Sequence, residues 1–90
     1  MHTDEFEISL AREIKVCESA IKRIRKTLSL LEQKYGSTTE DFLRRQEAGT
    51  LPGATEHATE FRVWRETWES LARWEELERQ YREQFRIMKI

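Results

Sequence analysis

Large apolar residues recur at alternating steps of four and three through the first third of the chain. They are Leu10, Ile14, Cys17, Ile21, Ile24, Leu28, Leu31 and Tyr35. This heptad spacing keeps one face of an α-helix against a partner helix. It predicts one long helix from about Asp4 to Tyr35, which ends at Gly36, a residue that readily adopts the left-handed conformation of a helix stop.

A short second helix is predicted from about residue 38 to residue 48. Ser37 and Glu40 have the spacing of a capping box, in which each side chain bonds the other residue's backbone amide. Phe42 and Leu43 are the only large apolar residues of this segment. We therefore expect the short helix to cover one end of the molecule, and a proline-glycine turn to follow it.

The last helix is predicted from about residue 56 to residue 88, with Thr55 as its N-cap. Its apolar residues form two groups. The first is Phe61, Trp64, Trp68 and Leu71, and the second is Trp74, Leu77, Tyr81, Phe85 and Met88. The second group lies roughly 90° around the helix from the first, whereas a supercoil explains only about 40° over this interval. The two halves are therefore expected to face different neighbours.

These elements predict a single all-α domain over residues 1–90, a long antiparallel helical hairpin with a short connecting helix. Helices near 50 Å long form a rod, and one facing helix cannot cover aromatic side chains that each bury about 150–250 Å². A second copy would cover them in a four-helix bundle, so a homodimer is expected, with a monomeric three-helix bundle as the alternative. The predicted association residues are Trp64, Trp68, Trp74, Tyr81 and Phe85.

Several classes of site are excluded by residue counts. The chain has one Cys and two His, which are His2 and His57, so neither a zinc site nor a di-iron bundle has its ligands. Its three Gly stand at predicted helix ends and turns, which excludes a phosphate-binding loop. No run of apolar residues is long enough to span a membrane. We therefore predict a non-enzymatic protein without cofactor or metal and without membrane association, in a reducing cytoplasm.

The single cysteine, one histidine and the tryptophans each have a structural and a functional interpretation. Cys17 occupies a heptad position, which favours a small buried hydrophobe over a redox or metal-binding thiol. His57 lies near the positive end of a helix, which favours a neutral packing residue over a catalytic one. The tryptophans have helical spacing, which favours core or partner-facing anchors over a ligand-stacking box.

A basic stripe lies on the back of the first helix, although the whole chain has a formal net charge of −1. Its members, all opposite the heptad face, are Arg12, Lys15, Lys22, Arg23 and Lys26. Such a stripe binds nucleic-acid phosphates, is a solvated face offset by Glu residues of a neighbouring chain, or binds an acidic protein. Ile8, Val16 and Leu30 lie along the same side, and no recognition motif accompanies the stripe, so the last two interpretations are favoured over nucleic acid.

Residues 34–51 read K-Y-G-S-T-T-E-D-F-L-R-R-Q-E-A-G-T-L. This run resembles a segment of short all-helical prokaryotic proteins, many uncharacterised and of antitoxin-like type, that carry K-Y-G-x-x-x-[ED]-[ED]-F. The resemblance implies a partner-binding, antitoxin-like role toward a small companion protein, and it transfers no functional residue. The predicted function is thus a self-associating protein–protein interaction module, with a nucleic-acid-binding accessory protein as the alternative.

Overall fold

The computed structural model describes residues 5–88 as three helices, α1 (Glu5–Tyr35), α2 (Thr39–Ala48) and α3 (Ala58–Met88). Helices α1 and α3 pack against each other, which confirms the all-helical prediction. Two ion pairs show that α1 and α3 are antiparallel. Lys34, at the end of α1, pairs with Glu60 near the start of α3. Glu18, in the first half of α1, pairs with Arg82 near the end of α3. Asp4, where α1 was expected to begin, lies outside the described residues.

The molecule is a rod with principal extents of 60 × 20 × 18 Å. Its radius of gyration is 17.7 Å, whereas a compact domain of this length has about 12 Å. A rod only two helices thick has a narrow contact region between the helices, so apolar residues outside that region remain partly exposed to solvent.

The heptad face of α1 lies against α3, as the spacing predicts. Every heptad position from Leu10 to Tyr35 is buried or partly buried. Leu10 and Cys17 are buried in the half of the hairpin away from α2, and Leu28 and Leu31 are buried beside α2. The repeated spacing therefore produces one continuous interhelical contact along α1.

The continuous hydrophobic core is confined to the end of the hairpin that carries α2, here called the closed end. Its buried members are Leu28, Leu31, Phe42, Phe61, Trp64 and Leu71. The Phe42 ring stacks on Trp64 with 3.9 Å between centroids and an interplanar angle of 4°. Helix α2 thus covers one end of the molecule through Phe42, as the sequence predicts.

Helix α2 begins one residue later than its predicted capping box. Thr38, not Ser37, is the N-cap, and its Oγ1 accepts a hydrogen bond from the backbone N–H of Asp41 at 3.1 Å. Ser37 is unavailable because its own N–H donates to the carbonyl of Glu32 at 3.1 Å. That bond closes α1 after Gly36, whose φ is +62°, so Ser37 belongs to the end of α1.

Helix α3 begins at Ala58, and Thr55 is not its cap. The carbonyl of His57 accepts from the N–H of Phe61 at 2.9 Å, which makes His57 the residue that precedes the helix. The His57 N–H donates to the carbonyl of Gly53 at 2.9 Å, and Gly53 has a φ of +72°. A Cβ on Gly53 would lie 2.8 Å from Cδ2 of His57, so this turn needs glycine.

Candidate functional site

The metal-ligating side chains form no metal-binding cluster in residues 5–88. No group of three or more His, Cys, Asp and Glu in that range is placed to hold a metal ion. Cys17 is 1% exposed, and burial, followed by the charge of Glu78, raises the pKa of its thiol. The candidate functional sites are therefore surfaces.

No helix in the described part of the chain combines the length and apolar character that crossing a bilayer requires.

The two sides of the α1–α3 hairpin differ in character. On the side that carries α2, the groove between the long helices is polar, since the Arg25–Glu75 ion pair spans it and Glu40 of α2 lines it. The groove on the other side, of about 320 Å³, contains no residue of α2. It is lined by Ala20, Arg23, Ile24, Thr27, Thr67, Ser70 and Trp74. This second side, here called the open flank, is thus bordered by four small residues together with Ile24, Arg23 and one indole.

The open flank continues along α3 toward the far end of the hairpin. Trp74, Leu77, Tyr81 and Phe85 fall within an arc of about 80° on this helix. All four are partly buried, and none belongs to the core at the closed end. These four side chains form a partly buried apolar strip along α3.

The five predicted association residues therefore divide into two groups. Trp64 is 0% exposed in a single chain, so its indole lies in the chain's own core and its part in association stays a prediction. Its indole is enclosed because the ring of Phe42, for which no contact with Trp64 was predicted, stacks on it. Trp68 is partly buried and packs against the same core. Only Trp74, Tyr81 and Phe85 lie outside the core and keep exposed surface for a partner.

The basic stripe is solvent-exposed over its whole length. Within residues 5–88, none of its five side chains forms an ion pair, although eight of the other ten Lys and Arg residues do. On the same side of α1, Ile8 is 52%, Val16 is 48% and Leu30 is 57% exposed. The back of α1 thus combines uncompensated positive charge with exposed apolar side chains.

A buried polar network joins all three helices, and sequence reasoning missed it. The indole N–H of Trp64 in α3 donates to Oγ1 of Thr39 in α2 at 3.0 Å. The Thr39 hydroxyl and backbone N–H both donate to Oε2 of Glu32 in α1, each at 2.8 Å. Thr39 is 0% exposed. The available signal was the indole itself, because a buried Trp N–H requires an acceptor.

A second polar cluster lies at the start of α3. Lys34 Nζ lies 3.0 Å and 3.1 Å from the two carboxylate oxygens of Glu60, and the Tyr35 hydroxyl donates to the same carboxylate. These bonds, that of Tyr35 first, lower the pKa of Glu60. The exposed His57 ring packs edge-on against Tyr35 at 5.6 Å between centroids. The cluster fastens the last turn of α1 to the first turn of α3.

The K-Y-G segment coincides with the joint between the helices. Tyr35 contacts Glu60, Gly36 reverses the chain, and Thr39 and Phe42 hold α2 against Trp64. The motif therefore has a structural explanation in this chain, and its antitoxin-like association stays a prediction. No protein-family model matches the chain, and comparison with curated proteins and with solved structures gave no significant match.

Proposed function

We propose that this protein is a non-enzymatic protein–protein interaction module that self-associates through its open flank. The observation that carries the proposal is the apolar strip of Trp74, Leu77, Tyr81 and Phe85, which the chain's own core does not include. A second hairpin packed on the strip would bury these side chains, which a rod only two helices thick leaves partly exposed. The product is a four-helix bundle.

The surface area of the chain supports this proposal. One chain exposes 6665 Å², whereas a compact protein of its mass exposes about 5,600 Å². The excess is on the order of 1,000 Å², and a standard stable interface buries about 800 Å² on each partner. Pairing along the rod would remove an area of this size, and the open flank is the apolar side available for it.

The small residues of the open flank also favour close approach of another helix. Ala20 and Thr27 on α1 face Thr67 and Ser70 on α3 across the groove. Short side chains leave room for a large side chain from a neighbouring hairpin, and Trp74 stands at the edge of the same groove. In a symmetric pair, the indole of each copy would lie over the groove of the other.

The test is the solution mass of Trp74→Ala compared with that of the unaltered chain. We expect the unaltered chain to have twice the 10.9 kDa mass of one chain, and Trp74→Ala to be a folded monomer at the same concentration, by light scattering and circular dichroism. The matched control is Leu30→Ala, which truncates an exposed side chain on the back of α1 and is expected to keep the dimer. Equal masses for all three proteins would refute the open flank as the interface.

The antitoxin-like role toward a small companion protein is the sharpest form of this proposal. This role depends on the resemblance of residues 34–51. It also requires a surface for the companion protein besides the open flank, which the proposal assigns to self-association. Coexpression of the chain with the product of its neighbouring gene tests it, and a stable complex of defined stoichiometry is expected. Purification of the two proteins separately, with no change in either mass on mixing, would contradict it.

The alternative function, nucleic-acid binding, is favoured by the five stripe residues, which lack intrachain ion pairs. Contacts between these side chains and phosphates would give an affinity for duplex DNA that falls steeply with salt. The experiment is a titration of duplex DNA at about 50 mM and 200 mM salt with the unaltered chain and with Lys22→Glu/Lys26→Glu. Binding that is salt-dependent and lost in the variant supports this function, and no binding at the lower salt excludes it.

A further inference from the structure

We propose that the back of α1 is a docking surface for an acidic amphipathic helix of a partner protein. This surface lies on α1 and the strip lies on α3, so the inference does not require self-association; of its residues, Arg23 alone also lines the groove of the open flank. It comprises the basic stripe and the three exposed apolar residues beside it, and every one of these side chains is exposed.

The first argument is a second heptad line on α1. Arg12, Val16, Ser19, Arg23, Lys26 and Leu30 follow one another at steps of four, three, four, three and four, and Ile8 extends the line by four more residues. This is the same spacing that places the opposite face of α1 against α3. From Ile8 to Leu30 the line is roughly 33 Å long, and a neighbouring helix can follow it without leaving the surface.

The second argument is charge. Lys15 and Lys22 flank the line, and Arg12, Arg23 and Lys26 lie on it, all without an ion pair in the described residues. A partner helix with carboxylates beside its apolar residues would supply the missing counter-charges. From α3, a second copy of this chain would supply few of them, because six of the seven glutamates of that helix already form ion pairs within residues 5–88 and Glu66 alone does not.

The third argument distinguishes a helix from other anionic partners. Phosphate contacts gain nothing from Ile8, Val16 and Leu30, which are each about half exposed. A bilayer surface requires a continuous apolar face, whereas cationic residues separate the apolar ones here. Alternating apolar and cationic side chains on a narrow line match an acidic amphipathic helix best.

The experiment measures binding of a fluorescent synthetic peptide by anisotropy. The probe has about four heptads, with Leu at the a positions and Glu at d, e and g, and a shuffled peptide of identical composition is its control. We expect the unaltered chain to bind the heptad peptide more tightly than the shuffled one. Lys22→Glu/Lys26→Glu is expected to weaken binding about tenfold or more, since it places like charges opposite each other.

Two further variants make the test specific. Val16→Ser/Leu30→Ser is expected to weaken peptide binding without changing the helix content. Arg62→Glu/Arg73→Glu makes the same charge change at two cationic residues of α3 that form no ion pair in the described chain, and it is expected to leave binding unchanged. Circular dichroism of each variant separates loss of the surface from loss of the fold.

Each other outcome overturns the proposal in a recognisable way. Equal binding of both peptides, with no effect of Val16→Ser/Leu30→Ser, would show that the surface attracts any polyanion and does not recognise an amphipathic helix. Tighter binding of duplex DNA than of the heptad peptide would assign it to nucleic acid. Conversion of a dimer to a monomer by Val16→Ser/Leu30→Ser would make it a contact between copies, and no binding of either peptide would remove the docking surface.

Discussion

Replacement of Thr39 by valine tests the buried network that holds the three helices together. Valine has the shape of threonine but lacks the hydroxyl, so the N–H of Trp64 would lose its acceptor at a site with no solvent. An orphaned buried donor costs about 1–3 kcal/mol. The lost bond to the Glu32 carboxylate contributes about 1.5–3 kcal/mol more, although the backbone N–H still satisfies that carboxylate in part. We expect a total loss of about 3 kcal/mol.

The assay is urea unfolding followed by circular dichroism at one fixed protein concentration, because the proposed self-association would make apparent stability depend on concentration. Thr39→Ser keeps the hydroxyl and removes one methyl group, so it should cost only about 0.8 kcal/mol. Thr59→Val is the matched control at an exposed site, outside both the buried network and the groove of the open flank. It should change the free energy of unfolding by less than about 0.5 kcal/mol.

The same network predicts coupling between Thr39 and Trp64. In a Trp64→Phe background there is no indole N–H to orphan, so Thr39→Val should cost about 1–2 kcal/mol less than in the unaltered chain. If Thr39→Val and Thr39→Ser had the same stability, or if the cost were equal in both backgrounds, the reasoning about the network would be refuted.

Two further predictions concern titratable groups. Burial raises the pKa of the Cys17 thiol, so a thiol reagent at neutral pH should modify the folded chain far more slowly than the chain in urea; equal rates would contradict the burial of Cys17. The pKa of Glu60 is lowered from 4.5 by its bonds to Tyr35 and Lys34, so the stability it contributes is complete above that value and is lost as the pH falls below it. Glu60→Gln should therefore flatten the acid limb of the stability–pH curve measured by urea unfolding, and an unchanged limb would contradict the role of this cluster.

The sequence predicts the helices of this chain well, because their positions depend on local signals. The heptad spacing locates the buried face of α1, and glycines mark the ends of α1 and α2. The predicted start of α2 lies one residue before the observed start at Thr39, and that of α3 lies two residues before the observed start at Ala58. Competing hydrogen bonds decide these starts, since Ser37 is used to close α1 and His57 is placed by its bond to Gly53.

Tertiary partners were harder to predict than helices. The change of apolar direction between Trp68 and Trp74 predicts that the halves of α3 face different neighbours. The first group packs in the core at the closed end, and the neighbour of the second group stays a prediction. The sequence did not reveal that Phe42 stacks on Trp64, because the orientation of α2 depends on the long-range bonds among Glu32, Thr39 and Trp64. A three-helix network of this kind has no periodicity, so the apolar spacing alone does not show that Trp64 is enclosed by its own chain.

The central claim is that the open flank binds a second copy, and sedimentation equilibrium of the unaltered chain tests it most directly. The account predicts that the mean mass rises with concentration toward twice 10.9 kDa, and that Trp74→Ala stays at the lower value over the same range. A constant mass of 10.9 kDa for the unaltered chain at every concentration would contradict it.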